Sequence, residues 1–130
     1  MSLATLLGCA GQRPDNLGPR DGRLAACPDS PNCVSSSDSR ESHGIAPIQA
    51  PLTRIRAHLA SLDNAQIITD QPEYLYVEFT SSLMGFVDDV EFLESTAGSG
   101  VQVRSASRVG YGDMGVNRKR IESIRAAVSP

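Results

Sequence analysis

The chain has 130 residues, of which 40% are hydrophobic and 21% are charged, and its formal net charge is -3. This length suits one domain with a sizeable core. Nucleic-acid-binding proteins usually show a basic excess and aromatic side chains that stack on bases, whereas this chain is acidic and has no tryptophan. We therefore expect a single domain that does not bind nucleic acid.

The first nine residues end in Leu6-Leu7-Gly8-Cys9, which resembles a bacterial lipobox, the site where a signal peptidase cuts before a lipid-modified cysteine. A complete signal also needs a basic n-region and a longer apolar region, and neither precedes this box. Either the true start lies upstream or the chain is truncated; the alternative is a chance cysteine in a flexible N-terminus. The sequence thus predicts a lipid anchor at Cys9, in the cell envelope and facing the periplasm, and a cytoplasmic protein if Cys9 is not processed.

Residues 10–50 contain most of the prolines, with many Gly, Ser, Asp and Asn residues and scarcely any apolar periodicity. We interpret residues 1–24 as a truncated lipoprotein-type leader and flexible tether, whose partner is the membrane. Residues 25–130 are predicted to form one α+β domain. Within it, residues 27–47 are expected to wrap the domain as an ordered loop.

Cys27 and Cys33 bracket a short loop with two prolines. Such a close pair favours a disulfide over a metal site, because no histidine or further cysteine lies nearby to complete four ligands. Two reduced thiols and a redox or metal site are the alternatives. We predict the disulfide, which suits an oxidising compartment, and we predict no metal and no cofactor.

An amphipathic helix is predicted after Pro51, because apolar residues recur there at helical spacing: Leu52, Ile55, Leu59 and Leu62. Residues 65–69 form a short apolar run that indicates a strand. Residues 74–80 alternate, which indicates a second strand with Leu75, Val77 and Phe79 on one face.

Two charged strands follow, at residues 86–92 and 103–109, joined by a hairpin turn at residues 97–100. A final helix is predicted from its buried stripe of Ile121, Ile124 and Val128. The predicted fold is therefore a four-stranded antiparallel sheet with two helices on one face, preceded by a long loop that the disulfide clips.

The period of two divides the charged strands into two faces. Asp88 falls with Val90 and Phe92 on the face predicted to meet the helices, whereas Asp89 and Glu91 fall on the open face. Opposite charges on adjacent antiparallel strands attract, so these two acids are expected to pair with Arg104 and Arg108 in an exposed ladder.

The start of the last helix is predicted to form an anion-binding corner. Asp113 is a candidate N-cap, Asn117 is the alternative, and Arg118 and Arg120 lie close by. The anion there is either an external ligand or the inward carboxylate of Asp88. We favour the internal carboxylate, because paired charges are often structural.

An enzyme is the alternative function. Asp88 and Asp89 point to opposite faces, so they cannot act jointly on one substrate. A hydrolase-like site would instead use His43 with Asp88 or with a loop serine, namely Ser35, Ser36 or Ser37. The sequence contains no metal-ligand spacing, phosphate loop or nucleophile elbow.

Several motifs in this order resemble the family named domain of unknown function 1499, over about residues 24–128. They are Cys27-Pro28-Asp29-Ser30-Pro31-Asn32-Cys33-Val34-Ser35-Ser36, His43, Phe86-Val87-Asp88-Asp89-Val90-Glu91-Phe92, Arg104-Ser105-Ala106-Ser107-Arg108-Val109-Gly110 and Asp113-Met114-Gly115-Val116-Asn117-Arg118-Lys119-Arg120-Ile121. The resemblance implies bacterial or plastid origin, often with an export signal. It implies no assigned activity and supplies no catalytic residues.

The sequence leaves the function unknown and favours a non-catalytic, lipid-anchored envelope domain. Its predicted site for a partner or a small anionic ligand comprises Arg104, Arg108, Asn117, Arg118 and Arg120. Its predicted structural polar network comprises Asp88, Asp89, Glu91 and Asp113.

Overall fold

Five antiparallel strands form one sheet in the computed structural model, which describes residues 11–96 and 98–130. The strand order is β1-β5-β4-β3-β2, and the two helices precede β2 and follow β5. The strands are β1 Cys33–Ser35, β2 Ala65–Asp70, β3 Tyr74–Thr80, β4 Val87–Glu94 and β5 Val101–Ser107; the helices are α1 Leu52–Ala60 and α2 Val116–Val128.

The main core lies between one face of the sheet and both helices, so the predicted α+β class with two helices on one face is confirmed. Alternate residues of β3 and β4 face the helices, as their period of two predicts. This core includes Leu75, Val77, Phe79, Val90, Phe92 and Val103 from the sheet, and Leu52, Ile55, Leu59, Ile121, Ile124 and Val128 from the helices.

The prediction of four strands is wrong, because β1 adds a fifth at the edge of β5. Val34 of β1 pairs with Ser105 of β5 in antiparallel register. This strand lies in the segment predicted to be an ordered loop. A strand of three residues is too short to show an alternating pattern, and it forms because β5 offers unpaired backbone groups at its edge.

The charged strands are shifted by one or two residues from their predicted bounds. Phe86 and Val109 lie outside β4 and β5, where they belong to the loops at one end of the sheet. Both are partly exposed, because they lie beyond the last rung of the ladder, Asp88 opposite Ser107. The predicted turn at residues 97–100 begins with Ala97, which lies outside the described residues.

The predicted disulfide between Cys27 and Cys33 is confirmed. Cys33 is the first residue of β1, so the bridge attaches the preceding loop to the edge of the sheet. Both half-cystines are buried against Ala106 of β5. Closing so short a loop stabilises the fold by about 2 kcal/mol in the chain-entropy treatment.

Residues 11–26, here named the cover segment, lie across the second face of the sheet. The Gly18 N–H donates to Glu91 Oε2 at 2.7 Å, and Gln102 Nε2 donates to the Gly22 carbonyl at 2.8 Å. Leu17 and Leu24 pack in a second apolar cluster with Tyr74, Tyr76 and Leu93. The described part of the predicted tether is therefore packed against the domain, and the remainder, with Cys9, lies outside the described residues.

Within the described part of the chain, neither helix has the length and apolar character needed to cross a lipid bilayer.

Candidate functional site

The second face of the sheet carries buried charge. Asp89, Glu91 and Arg104 are only 2%, 1% and 4% exposed. The predicted exposure of this ladder is therefore wrong, although the predicted pair of Asp89 with Arg108 is present. The cover segment seals this face, so its charges lie in a medium of low dielectric and need partners.

Arg108 connects two carboxylates of this face, those of Asp89 and Glu78. Its Nη2 donates to Asp89 Oδ1 and to Glu78 Oε2, both at 2.7 Å. The bond to Asp89 is the main cause that raises the pKa of Arg108 above its usual range. Burial alone would raise the pKa of Glu78, but hydrogen bonds from Arg13, Arg108 and Tyr76 outweigh it and lower that pKa to about 2.

Two tyrosines supply further donors to the buried carboxylates. The Tyr76 hydroxyl lies 2.5 Å from Asp89 Oδ1, and the Tyr74 hydroxyl lies 2.6 Å from Glu91 Oε2. Burial raises the pKa of both hydroxyls well above the usual range, and the adjacent carboxylates raise it further. Both tyrosines therefore stay protonated and act as permanent hydrogen-bond donors.

Glu91 and Arg104 form the incomplete part of the network. They are directly opposite each other on β4 and β5, yet Glu91 Oε1 and Arg104 Nε are buried without a hydrogen-bond partner among the described residues. Among the described residues, the Arg104 side chain makes a single long hydrogen bond, 3.4 Å from its Nη2 to the Ala26 carbonyl. Burial lowers its pKa, against the opposing influence of Glu91 and Asp89.

A polar cavity of about 230 Å³ lies between this face and the cover segment. Arg104, Arg108 and Asp89 line it from the sheet, and Asn32 lines it from the disulfide loop. Gln12 and Asn16 line it from the cover segment. The sequence did not indicate Gln12 and Asn16, because they lie in an irregular stretch. The signal that something covers the second face was that Tyr74, Tyr76 and Leu93 make this face apolar as well.

A separate polar cluster lies on the helix face. Arg120 Nη2 donates to Asp88 Oδ2 at 2.6 Å, so the inward carboxylate is paired within the protein. The buried Asn117 accepts from Ser105 Oγ at 2.7 Å through its Oδ1. Its Nδ2 donates to Asp113 Oδ2 at 2.9 Å and lies 3.2 Å from the Asn32 carbonyl.

The predicted anion-binding corner at the start of α2 holds Asp113. Its carboxylate accepts from the N–H groups of Gly115 and Asn117 at 2.8 and 3.0 Å. Burial alone would raise the pKa of Asp113, but these hydrogen bonds and the one from the Asn117 amide lower it. Neither predicted cap is the N-cap residue, which is Gly115: Asp113 lies two residues before it, and Asn117 is a buried residue of the helix.

The five residues of the predicted ligand site do not come together. Arg104 and Arg108 lie on the cavity side of the sheet, whereas Asn117 and Arg120 lie on the helix side. Arg118 donates to the Gly44 carbonyl at 2.8 Å, beside the loop that contains His43. Of these five residues, Arg104 lines the cavity and has a buried donor, its Nε, without a partner among the described residues.

The alternative hydrolase residues have other partners. His43 is buried and its Nδ1 lies 3.0 Å from the Cys33 carbonyl. The serine hydroxyls donate elsewhere: Ser35 to the Ala25 carbonyl, Ser36 to the Val103 carbonyl and Ser37 to Gln102 Oε1. Among the described residues, the His43 ring makes no hydrogen bond with Asp88 or with these hydroxyls.

A family model described as "Protein of unknown function (DUF1499)" matches residues 23–128. No curated protein and no solved structure matches the chain. The matched range contains all seven elements and the disulfide, whereas most of the cover segment precedes it.

Proposed function

Because the chain belongs to the DUF1499 family, whose function is unknown, we propose a function from its own site. The domain binds a small oxyanion, a carboxylate or phosphate group, at Arg104 in the cavity beneath the cover segment. The bound molecule is held rather than transformed. The observation that carries this proposal is the buried guanidinium of Arg104, whose Nε has no partner in the described structure.

The chemistry of Arg104 supports an oxyanion. A guanidinium presents Nε and Nη donors in a planar fork that matches the two oxygens of a carboxylate or phosphate. A buried donor without a partner costs free energy, which a ligand oxygen at this position would offset. Arg108 lines the same cavity, but its donors are already taken by Asp89 and Glu78.

The cellular setting is also a proposal. We infer that the domain works in the cell envelope, anchored by a lipid on Cys9 and facing the periplasm. The disulfide between Cys27 and Cys33 supports an oxidising compartment. Expressed in a bacterial host with a complete export signal, the protein should stay with the membranes through a high-salt wash and carry a lipid mass, whereas the Cys9→Ser variant should be washed off and should lack that mass. A wild-type protein with no lipid mass on Cys9 would contradict the anchor.

The oxyanion site predicts a measurable response of one side chain. Titration with inorganic phosphate or acetate should shift, in a saturable manner followed by NMR, both the Arg104 Nε–H resonance and the backbone amide resonances of the cavity lining, which also report on variants without Arg104. The variant to compare is Arg104→Met with Glu91→Gln, which removes the unsatisfied Arg104 donor, neutralises the Glu91 carboxylate and keeps the net charge. Replacing a buried ion pair by neutral side chains is often neutral or stabilising. The double variant should therefore fold, and its affinity for phosphate or acetate should be lower than that of the wild-type protein by about tenfold or more.

Arg56→Gln is the matched control for this titration. Arg56 pairs with Asp70 at 2.8 Å at the other edge of the sheet, so its loss should leave the affinity unchanged. The proposal fails if the wild-type protein shows no saturable shift and the double variant is at least as stable as the wild type. Glu91 and Arg104 would then form a purely structural pair bridged by water.

A further inference from the structure

The exposed apolar side chains are concentrated at one end of the sheet. Seven large hydrophobic residues of the described chain are exposed, and all lie between positions 83 and 86 or between positions 109 and 116. They are Leu83, Met84, Phe86, Val109, Tyr111, Met114 and Val116. We name these two stretches, taken as residues 81–86 and 109–116, the apolar loops.

The apolar loops lie at the same end of the sheet and share a hollow. The first joins β3 to β4 and the second joins β5 to α2, and the register of Asp88 opposite Ser107 brings them to the same end of the sheet. Together they line a mostly apolar hollow of about 240 Å³, with Phe86 on one side and Val109 and Val116 on the other. An exposed apolar patch of this kind marks an interaction surface.

Met114 shows that this exposure is not required by the fold. Its side chain is 93% exposed, so packing does not select it. Its φ is +54°, in the left-handed region where glycine or asparagine is favoured and a longer side chain is strained. Neither the backbone nor the core accounts for a methionine at this position.

The charges around the apolar loops favour an anionic surface. The carboxylate of Asp113, the one acid within the loops, is occupied by backbone N–H groups and by Asn117. Arg118 is bonded to carbonyl oxygens, and neither Arg118 nor Lys119 has a salt bridge among the described residues. The first turn of α2 thus offers two cations, Arg118 and Lys119, that make no salt bridge with a carboxylate of the described residues.

The path of the chain leads from the same end of the sheet. Gly11 lies against the second apolar loop, since a methyl group on it would come within 2.6 Å of Val109 Cγ1. Cys9 is two residues upstream of Gly11. A lipid on Cys9 would therefore hold the apolar loops, rather than the opposite end of the sheet, next to the membrane.

We propose that the apolar loops are a membrane-docking surface. Leu83, Tyr111 and Met114 insert at the boundary between headgroups and acyl chains, while Lys119 and Arg118 contact anionic headgroups. This docking depends on neither the oxyanion site nor the lipid on Cys9. It orients the cavity relative to the bilayer surface.

Vesicle binding by the full chain without a lipid on Cys9 tests the proposal. The wild-type protein should cosediment with vesicles of phosphatidylglycerol and phosphatidylethanolamine, and more weakly with vesicles of phosphatidylcholine alone. The triple variant Leu83→Ser, Tyr111→Ser and Met114→Ser should bind at least about tenfold more weakly, because these exposed side chains would lose their apolar burial. Its melting temperature should not fall, since none of the three is buried in the protein.

Charge and backbone variants sharpen the test. Lys119→Gln should weaken binding to the anionic vesicles by about fivefold. Arg23→Gln removes the same charge near the opposite end of β5, where Gln102 binds the adjacent Gly22, and should change nothing. Met114→Asn suits the left-handed backbone, so it should weaken binding without lowering the melting temperature.

Two results would overturn the proposal. One is a wild-type protein that fails to bind either kind of vesicle. The other is sedimentation of the wild-type chain as a dimer that the triple variant dissociates, because a second copy would then be the occupant of this surface. The double variant of Arg104 and Glu91 distinguishes this surface from the oxyanion site. It should lose the response to phosphate and still bind vesicles.

Discussion

Replacing Arg108 by methionine is expected to lower the free energy of unfolding by about 3 to 5 kcal/mol, the usual cost of removing one partner from a buried ion pair. Arg108 has a side chain only 8% exposed, and its guanidinium pairs with Asp89 and Glu78. Without it, Asp89 would keep only the Tyr76 hydroxyl as a side-chain donor from the part of the chain that the structure describes. Urea denaturation followed by circular dichroism measures the loss.

Arg13→Met is the matched control for Arg108. Arg13 also donates to Glu78 at 2.8 Å, but its side chain is 52% exposed. Exposed ion pairs are worth less than about 1 kcal/mol, so this variant should be only slightly destabilised. Equal losses in the two variants would contradict the view that burial by the cover segment makes the Arg108 pair important.

Acid titration gives a second readout of the Arg108 substitution. The pKa of Glu78 is about 2 in the folded protein, against a usual value of 4.5. A depressed carboxylate pKa stabilises the fold above the unfolded value, and that stabilisation disappears as pH falls from about 4.5 towards about 2. The wild-type protein should therefore lose stability over this range. Arg108→Met should lose less of it, because its Glu78 pKa is closer to the usual value.

Replacing Asn117 by alanine is expected to cost about 2 to 4 kcal/mol, because buried polar groups lose their partners. The Asn117 side chain connects β5, the Cys27–Cys33 loop and the segment before α2, through Ser105, Asn32 and Asp113. The variant should also increase amide hydrogen exchange in residues 109–115, which Asp113 and Asn117 hold in place.

Asn64→Ala provides the comparison for Asn117. Asn64 lies in the exposed turn before β2, so the same substitution should change stability by no more than about 0.5 kcal/mol. An Asn117 variant as stable as this control would show that the cluster on the helix face is dispensable. That result would also remove the structural reason for an asparagine inside α2.

Several features of the fold could be predicted because they depend on local patterns. The alternation of residues 74–80 identified the face of β3 that packs on the helices. The spacing of Ile121, Ile124 and Val128 identified the buried stripe of α2. The close pair of cysteines predicted the disulfide, and the inward direction of Asp88 followed from its register with Val90 and Phe92.

The candidate site was only partly predictable. Arg104 and Arg108 were identified as unusual residues in a strand, but their environment was predicted to be solvent. Glu78, Tyr74 and Tyr76 were not singled out, although the aromatic side chains alternate with the core residues of β3. The signal was a strand that is apolar or aromatic on both faces, which is typical of a sheet covered on both sides.

By itself, the sequence determined the class of fold, the helix face of the sheet and the disulfide, since periodicity and close spacing are properties of neighbouring residues. Only the tertiary structure showed that residues 11–26 cover the second face and turn an exposed ladder into a buried network with a cavity. The physical reason is that this contact joins residues more than 60 positions apart through single hydrogen bonds, such as Arg13 to Glu78. An irregular segment carries no periodic pattern that could indicate which surface it covers.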